Sequence, residues 1–206
     1  MAVLDGTYAG LQNSIIDWMV RPDLTTSQVK DAIALFEAEA GRRLRVREML
    51  ITTTLTTVLG VAAIPANFIT WLTLTWNASI NVQLTYKNPD ALLAMFGGPD
   101  QGAPAWFTVL NGSFLIRPVD DTVNAFTLRY YQDIPSLSDA SPTNWLLTKH
   151  PDYYLAGSLY NAYKFVRDAD AASAYKQIME EAVGTIIDLN NQYKEPAEMS
   201  VMGVII

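Results

Sequence analysis

The sequence predicts an α+β protein in which four helices, two from each end of the chain, form a bundle with an inserted antiparallel, β-sandwich-like unit. Charge is the first indication. Residues 1–50 hold six basic and seven acidic side chains and residues 132–206 hold five and ten, but the 81 positions of 51–131 hold only three and four. In that middle stretch Thr, Val, Ile, Trp and Phe take over, the exchange that accompanies a change from helix to sheet. Apolar spacing changes at the same places, from steps of three and four to steps of two. The expected division is a helical bundle from 1–50 and 132–195, a strand-rich insert over 51–131, and an extended apolar tail over 196–206.

Each element follows from local chemistry. Leu11, Ile15, Trp18 and Met19 are helically spaced, and Arg21-Pro22 stops the run, since the residue before proline is pushed out of the α region. Thr25-Thr26-Ser27 offers capping hydroxyls for a second helix. Its buried stripe is Val29, Ile33, Phe36, Ala40 and Leu44. Leu50–Leu59 and Phe68–Trp76 read as strands, with threonine at most polar positions. Ile80, Val82, Leu84 and Tyr86 alternate with Asn81, Gln83, Thr85 and Lys87, predicting a half-buried strand. Ala91–Phe96 reads as a helical turn ended by Gly97-Gly98-Pro99.

Trp106–Leu110, Asn111-Gly112 and Ser113–Arg117 predict a hairpin, because Asn-Gly adopts the two positive φ angles of a type I′ turn. Asn124–Tyr131 adds a strand with Phe126, Leu128 and Tyr130 on one face. Three prolines make 132–151 an extended connector. Asp152–Arg167 is helical with Tyr153, Ala156, Tyr160, Tyr163 and Val166 inward. Asp168–Tyr193 is a longer helix with a stripe at Tyr175, Ile178, Ala182, Ile186, Leu189 and Tyr193. Pro196 prevents its continuation.

Composition excludes several classes of function. The chain has 206 residues, a net charge of -7, 50% hydrophobic and 17% charged residues, one histidine and no cysteine. Its pI is about 4.6. Disulfide frameworks, thiolate nucleophiles and cysteine-based metal sites are excluded. A lone His150 supplies neither a histidine-rich metal site nor a two-histidine relay. The acidic balance argues against a general nucleic-acid binder, which releases counterions from phosphates with a positive field. The start of the chain lacks a cationic and apolar leader, and no apolar run approaches the roughly 18 residues of a membrane span. A charged fraction below the norm of about a quarter is expected where partners cover surface, as in a homo-oligomer.

Arg42, Arg43, Arg45 and Arg47 are the dense basic run. At about 100° per residue they point several ways and make no single phosphate-gripping face. Glu37, Glu39 and Glu48 are within reach as intrahelical partners. Two readings stand level: a solvated helix end whose cations complement the dipole, or salt bridges to a neighbouring subunit or a partner's acidic patch, for which guanidinium is suited. His150, before Pro151-Asp152, reads as a structural residue at a helix start. Asp120-Asp121 fits a turn and Glu180-Glu181 an exposed helical face, since neither follows the alternate-ligand pattern of a calcium loop. Trp71 and Trp76 fall on opposite faces of a regular strand, leaving one for a partner to cover. The terminal residues Val201, Met202, Gly203, Val204, Ile205 and Ile206 either fray or dock on another chain. Docking is favoured because free apolar tails promote aggregation.

Two segments carry a resemblance. Residues 35–49, LFEAEAGRRLRVREM, and 130–168, YYQDIPSLSDASPTNWLLTKHPDYYLAGSLYNAYKFVRD, resemble the head-to-tail adaptor (connector) proteins of tailed bacteriophages. Tyr-Tyr, Ile-Pro-x-Leu-Ser and Asn-Trp-Leu-Leu-x-x-x-Pro-Asp-x-Tyr-Leu arrive in the expected order. Leu11-x-x-Ser14-x-x-x-Trp18 with Arg21-x-Asp23-Leu24 is compatible, while the insert matches only in type. The resemblance implies a structural virion protein at the head–tail interface, present in the host cytoplasm during assembly. It implies no enzyme activity, cofactor, metal or membrane. It implies a ring of its own copies, typically a dodecamer, beneath the portal protein. That ring would bridge to tail or nozzle proteins and help retain packaged DNA, which passes through without sequence-specific binding. The arginines and Val201–Ile206 would serve partner binding, the tail on portal or adjacent subunits. Two alternatives stand beside this: a tail-completion or terminator protein that binds the tail instead, and a hydrolase whose carboxylates meet only in the fold.

Overall fold

The computed structural model describes residues 5–20, 24–119 and 125–192. It is a mixed helix-and-strand protein that divides into two compact units, Met1–Arg47 with Ile134–Ile206, and Glu48–Asp133. The Arg21-Pro22 stop, Asp120-Asp121, Tyr193, Pro196 and the 196–206 tail lie outside the described residues.

In the first unit, α1 (Tyr8–Met19) starts at Thr7, whose hydroxyl accepts from the Gly10 amide. Leu11, Ile15 and Met19 are buried as the spacing predicts, but Trp18 is 53% exposed. The next helix, α2 (Thr26–Arg43), opens with a full capping box between Thr25 and Gln28. That arrangement satisfies two free helix-end donors at once. Its predicted stripe, Val29, Ile33, Phe36, Ala40 and Leu44, is entirely buried.

The proline-rich connector departs from expectation. Asn144 caps a short helix, α4 (Trp145–Lys149), by accepting from the Leu147 amide, and only the flanking residues are extended. Next comes α5 (Pro151–Phe165), with proline in its first turn where its missing N–H costs nothing. It packs against α1, α2, α4 and α6 (Ala169–Gln192). It is therefore buried almost all round from Tyr153 to Leu159, whereas the expected inward residues Tyr160, Tyr163 and Val166 are only half-buried. Helix α6 is rotated relative to its expected face. Met179, Val183, Ile186 and Asn190 are buried, while Ile178 and Leu189 of the expected stripe stand out.

The second unit holds one further helix and two four-stranded sheets. The sheets are ordered β1-β8-β3-β4 and β2-β7-β6-β5. The strands are β1 (Leu50–Thr56), β2 (Val61–Ala63), β3 (Phe68–Trp76), β4 (Val82–Gln83), β5 (Thr85–Tyr86), β6 (Trp106–Leu110), β7 (Ser113–Arg117) and β8 (Ala125–Gln132), with α3 (Pro89–Met95) between β5 and β6. The β6–β7 hairpin has the predicted register, Leu110 opposite Ser113. Its turn residues Asn111 and Gly112 take φ of 49° and 69°.

Three strand expectations are corrected. The alternating stretch Ile80–Lys87 is not one strand. The Leu84 amide donates to Leu74 O at 2.8 Å in one sheet and the Thr85 amide to Ala105 O at 2.9 Å in the other. The chain thus switches sheets at Leu84, the only buried member of the expected face. Secondly, the arrangement is not wholly antiparallel, because β5 pairs with β6 in parallel. Thirdly, β3 is irregular. Its register against β8 slips between Phe68 and Thr70 and again between Trp71 and Thr73. A bulge residue shifts the face presented by all that follow. Trp71 and Trp76, an odd number of positions apart, consequently pack on the same core. That core joins both sheets through Leu74, Leu84, Phe107, Phe114, Ile116, Phe126 and Leu128.

Candidate interaction surfaces and the network behind them

The residues of the two recognisable segments meet inside the helical unit. Glu37 is almost completely buried on α2. One of its carboxyl oxygens accepts from the Leu137 amide at 2.8 Å and from the Tyr154 hydroxyl on α5. Tyr154 in turn accepts from Asn144 Nδ2 at 3.1 Å, and the same nitrogen donates to Pro135 O at 2.8 Å. The far end of Asn144 is the α4 cap. A buried polar group without a partner costs about 1–3 kcal/mol, so this chain of bonds fixes the path of the connector against α2 and α5. Burial first, and then the bond to Glu37, push the Tyr154 phenol well above its ordinary range.

Phe36 completes the arrangement, meeting Tyr153 and Tyr154 edge-on at 4.9 and 4.8 Å. Gly157 makes this close approach possible, because a Cβ there would lie 2.0 Å from Phe36 Cδ2. Tyr153 is equally buried, yet its hydroxyl has no hydrogen-bond partner among the described residues. Burial pushes its phenol up to about 12, against a smaller opposing pull from Arg43.

The four arginines have different fates. Arg43 reaches across to α6 and grips Glu180 with both guanidinium nitrogens, Nη1 at 2.8 Å, with Glu39 3.5 Å away one turn back. This pair holds the Arg43 guanidinium above and the Glu180 carboxyl below their usual ranges. Arg45 folds back on the end of α2 and donates to Gly41 O at 2.6 Å and to Leu44 O. The Arg47 amide donates to Asn190 Oδ1 at 3.0 Å on α6. Arg42 is exposed and makes no ion pair with a described residue. Among the expected intrahelical partners, Glu39 stands one turn back from Arg43. Glu37 is committed to the buried network, and Glu48 lies beyond α2 in the turn Arg47–Met49.

His150 ends α4 and begins α5 without a side-chain cap, and its carbonyl accepts from the Tyr154 amide. Of the adjacent Glu180-Glu181, Glu180 holds Arg43, and Glu181 accepts from Gln177 at 3.2 Å. No acidic or histidine cluster able to hold a metal occurs among the described residues. Nor is any described helix long and apolar enough to cross a membrane. Residue spacing missed two surfaces. One is an almost wholly apolar groove of about 320 Å³ formed by Trp18, Leu155, Leu159, Tyr175 and Ile178. The other is the free edge of β1, seven uncharged residues in unbroken register with β8.

The helical unit joins a buried polar scaffold to exposed apolar helix surface. A protein-family model described as SU10 adaptor protein matches residues 6–201. The chain belongs to that family of phage adaptor proteins, as its two recognisable segments indicate. No curated protein matches the chain significantly.

Proposed function

We propose that this adaptor forms a closed ring, of twelve copies when seated on a portal, and joins the phage head to the tail machinery while helping to retain packaged DNA. The observation that carries this reading is the family match over residues 6–201, which takes in both units. The surface chemistry supports it. Val20 and Leu35 leave apolar area open on the helical unit, and a subunit repeated around a ring buries such faces against its neighbours. The helical unit, with α1, α2, α5 and α6, is the part we assign to ring formation.

Arg43, Arg45 and Arg47 support the subunit from within, and Arg42 is the arginine offered to an acidic patch on a partner. Val201–Ile206 supplies the second contact, made on portal or an adjacent subunit. A net charge of -7 gives a DNA channel a repulsive wall, so DNA passes without being held. The free protein and the ring belong to the virion's assembly line, with portal above and tail or nozzle proteins below.

Co-sedimentation with the portal encoded beside the gene, and separately with isolated tails, tests this. Binding to portal is expected. Binding to tails alone establishes a tail-completion protein in its place.

A further inference from the structure

We propose that the groove between α1, α5 and α6 is the docking site of the chain's own C-terminal segment, Val201–Ile206. The proposal stands apart from the adaptor reading. It begins with the rotation of α6. The helix carries more apolar surface than its unit covers, leaving Ile178 46% and Leu189 43% exposed. Ile178, Ala182, Thr185 and Leu189 step by four, three and four, so they form one uncharged line along the helix. The line starts at the groove, of which Ile178 is one wall, and runs toward the end of α6 at Gln192.

Length fits this path. Gln192 lies fourteen residues beyond Ile178, about 21 Å of helix. Fourteen further residues follow it to Ile206. Nine of them, extended, span about 30 Å. A chain that reverses after Gln192 is therefore long enough to bring Val201 back to the level of the groove. The apolar hexapeptide then faces Trp18, Leu155 and Ile178, and the charged residues Lys194, Glu195 and Glu198 remain on the way.

The same chain is the favoured occupant because of tethering. A segment on a short flexible link has an effective concentration on the order of millimolar, well above that of a second copy at micromolar protein. A docked tail hides the apolar segment until a partner competes for it.

The absence of native cysteine allows a direct test on the full chain. Val204→Cys is combined with Ile178→Cys in the groove or, as a control, with the exposed Leu35→Cys on α2. Under mild oxidation the groove pair is expected to close within one chain, at a rate independent of protein concentration and at least tenfold above the control. Val201→Cys with Trp18→Cys gives a second reading of the same contact, and thermal unfolding of the reduced proteins checks the fold. Equal rates for groove and control pairs overturn the proposal. Interchain dimers that increase with concentration also overturn it, and assign the groove to the tail of another copy.

Discussion

The two units hold themselves together by different means. The helical unit is organised by directional bonds: Glu37, Tyr154, Asn144, Pro135 and Leu137 each meet a specific partner. The strand unit is organised by volume, with Phe107, Phe114, Phe126 and their neighbours filling the space between two sheets. A hydrogen-bonded position admits few residue types. An apolar core position admits any side chain of suitable size and pattern. This difference explains why residues 35–49 and 130–168 form a recognisable signature while the insert is recognisable only in type. The signature holds the hydrogen-bonded scaffold of the subunit.

Substitutions can break this contrast. The largest effect is expected for Glu37→Ala, which strands the Leu137 amide and the Tyr154 hydroxyl in the interior. A loss of about 4 kcal/mol follows from two such bonds, against about 1 kcal/mol for Ile116→Val in the strand core. Chemical denaturation of both variants measures the ratio, and equal losses would erase the distinction.

Alkaline titration comes next. The Tyr153 and Tyr154 phenols are both raised in the folded state. A raised pKa means that the fold binds the proton more tightly. The associated stability is complete below the ordinary tyrosine value near 10 and is lost as pH rises toward 12. For Tyr153 alone, whose value moves from 10.0 to about 12, this amounts to about 3 kcal/mol at the alkaline limit. Thermal melts should therefore fall above pH 10 and fall less steeply in Tyr153→Phe.

At neutral pH the same adjacent pair sharpens the comparison. Tyr154→Phe removes a donor to Glu37 and should cost about 2 kcal/mol. Tyr153→Phe removes a hydroxyl without a partner and should be neutral or slightly stabilising.

Arg43→Ala should have the smallest effect of the substitutions that remove a bond. Its side chain and that of Glu180 are 32% and 44% exposed, so water and salt screen the pair to about 1 kcal/mol or less. Comparing Arg43→Ala with the parent at low and high salt is the check.

The same contrast governs what could be read in advance. Local signals were legible: the Thr25 cap, the α2 stripe, the Asn111-Gly112 turn and most strand limits each depend on a few neighbouring residues. What escaped depends on distant ones. The bulges in β3 arise from its pairing with β8, and the sheet switch at Leu84 from having Leu74 on one side and Ala105 on the other. Nothing within Phe68–Trp76 or Ile80–Lys87 encodes either. The face of α6 was misread because two apolar lines compete on it and only packing against α5 selects one. The Glu37 network was missed because an acidic residue beside Glu39 in an arginine-rich helix has the spacing of an ion-pair partner. The adjacent tyrosines of α5 were the available signal that a polar group was buried opposite.

The proposed function requires this subunit to close into a ring on a portal. Negative-stain microscopy of the protein mixed with its portal, with mass determination of the complex, tests it most directly. Closed rings stacked on one end of the portal are expected, with equal numbers of adaptor and portal subunits. Bare portals beside unassembled adaptor, at concentrations that saturate tail binding, would contradict it.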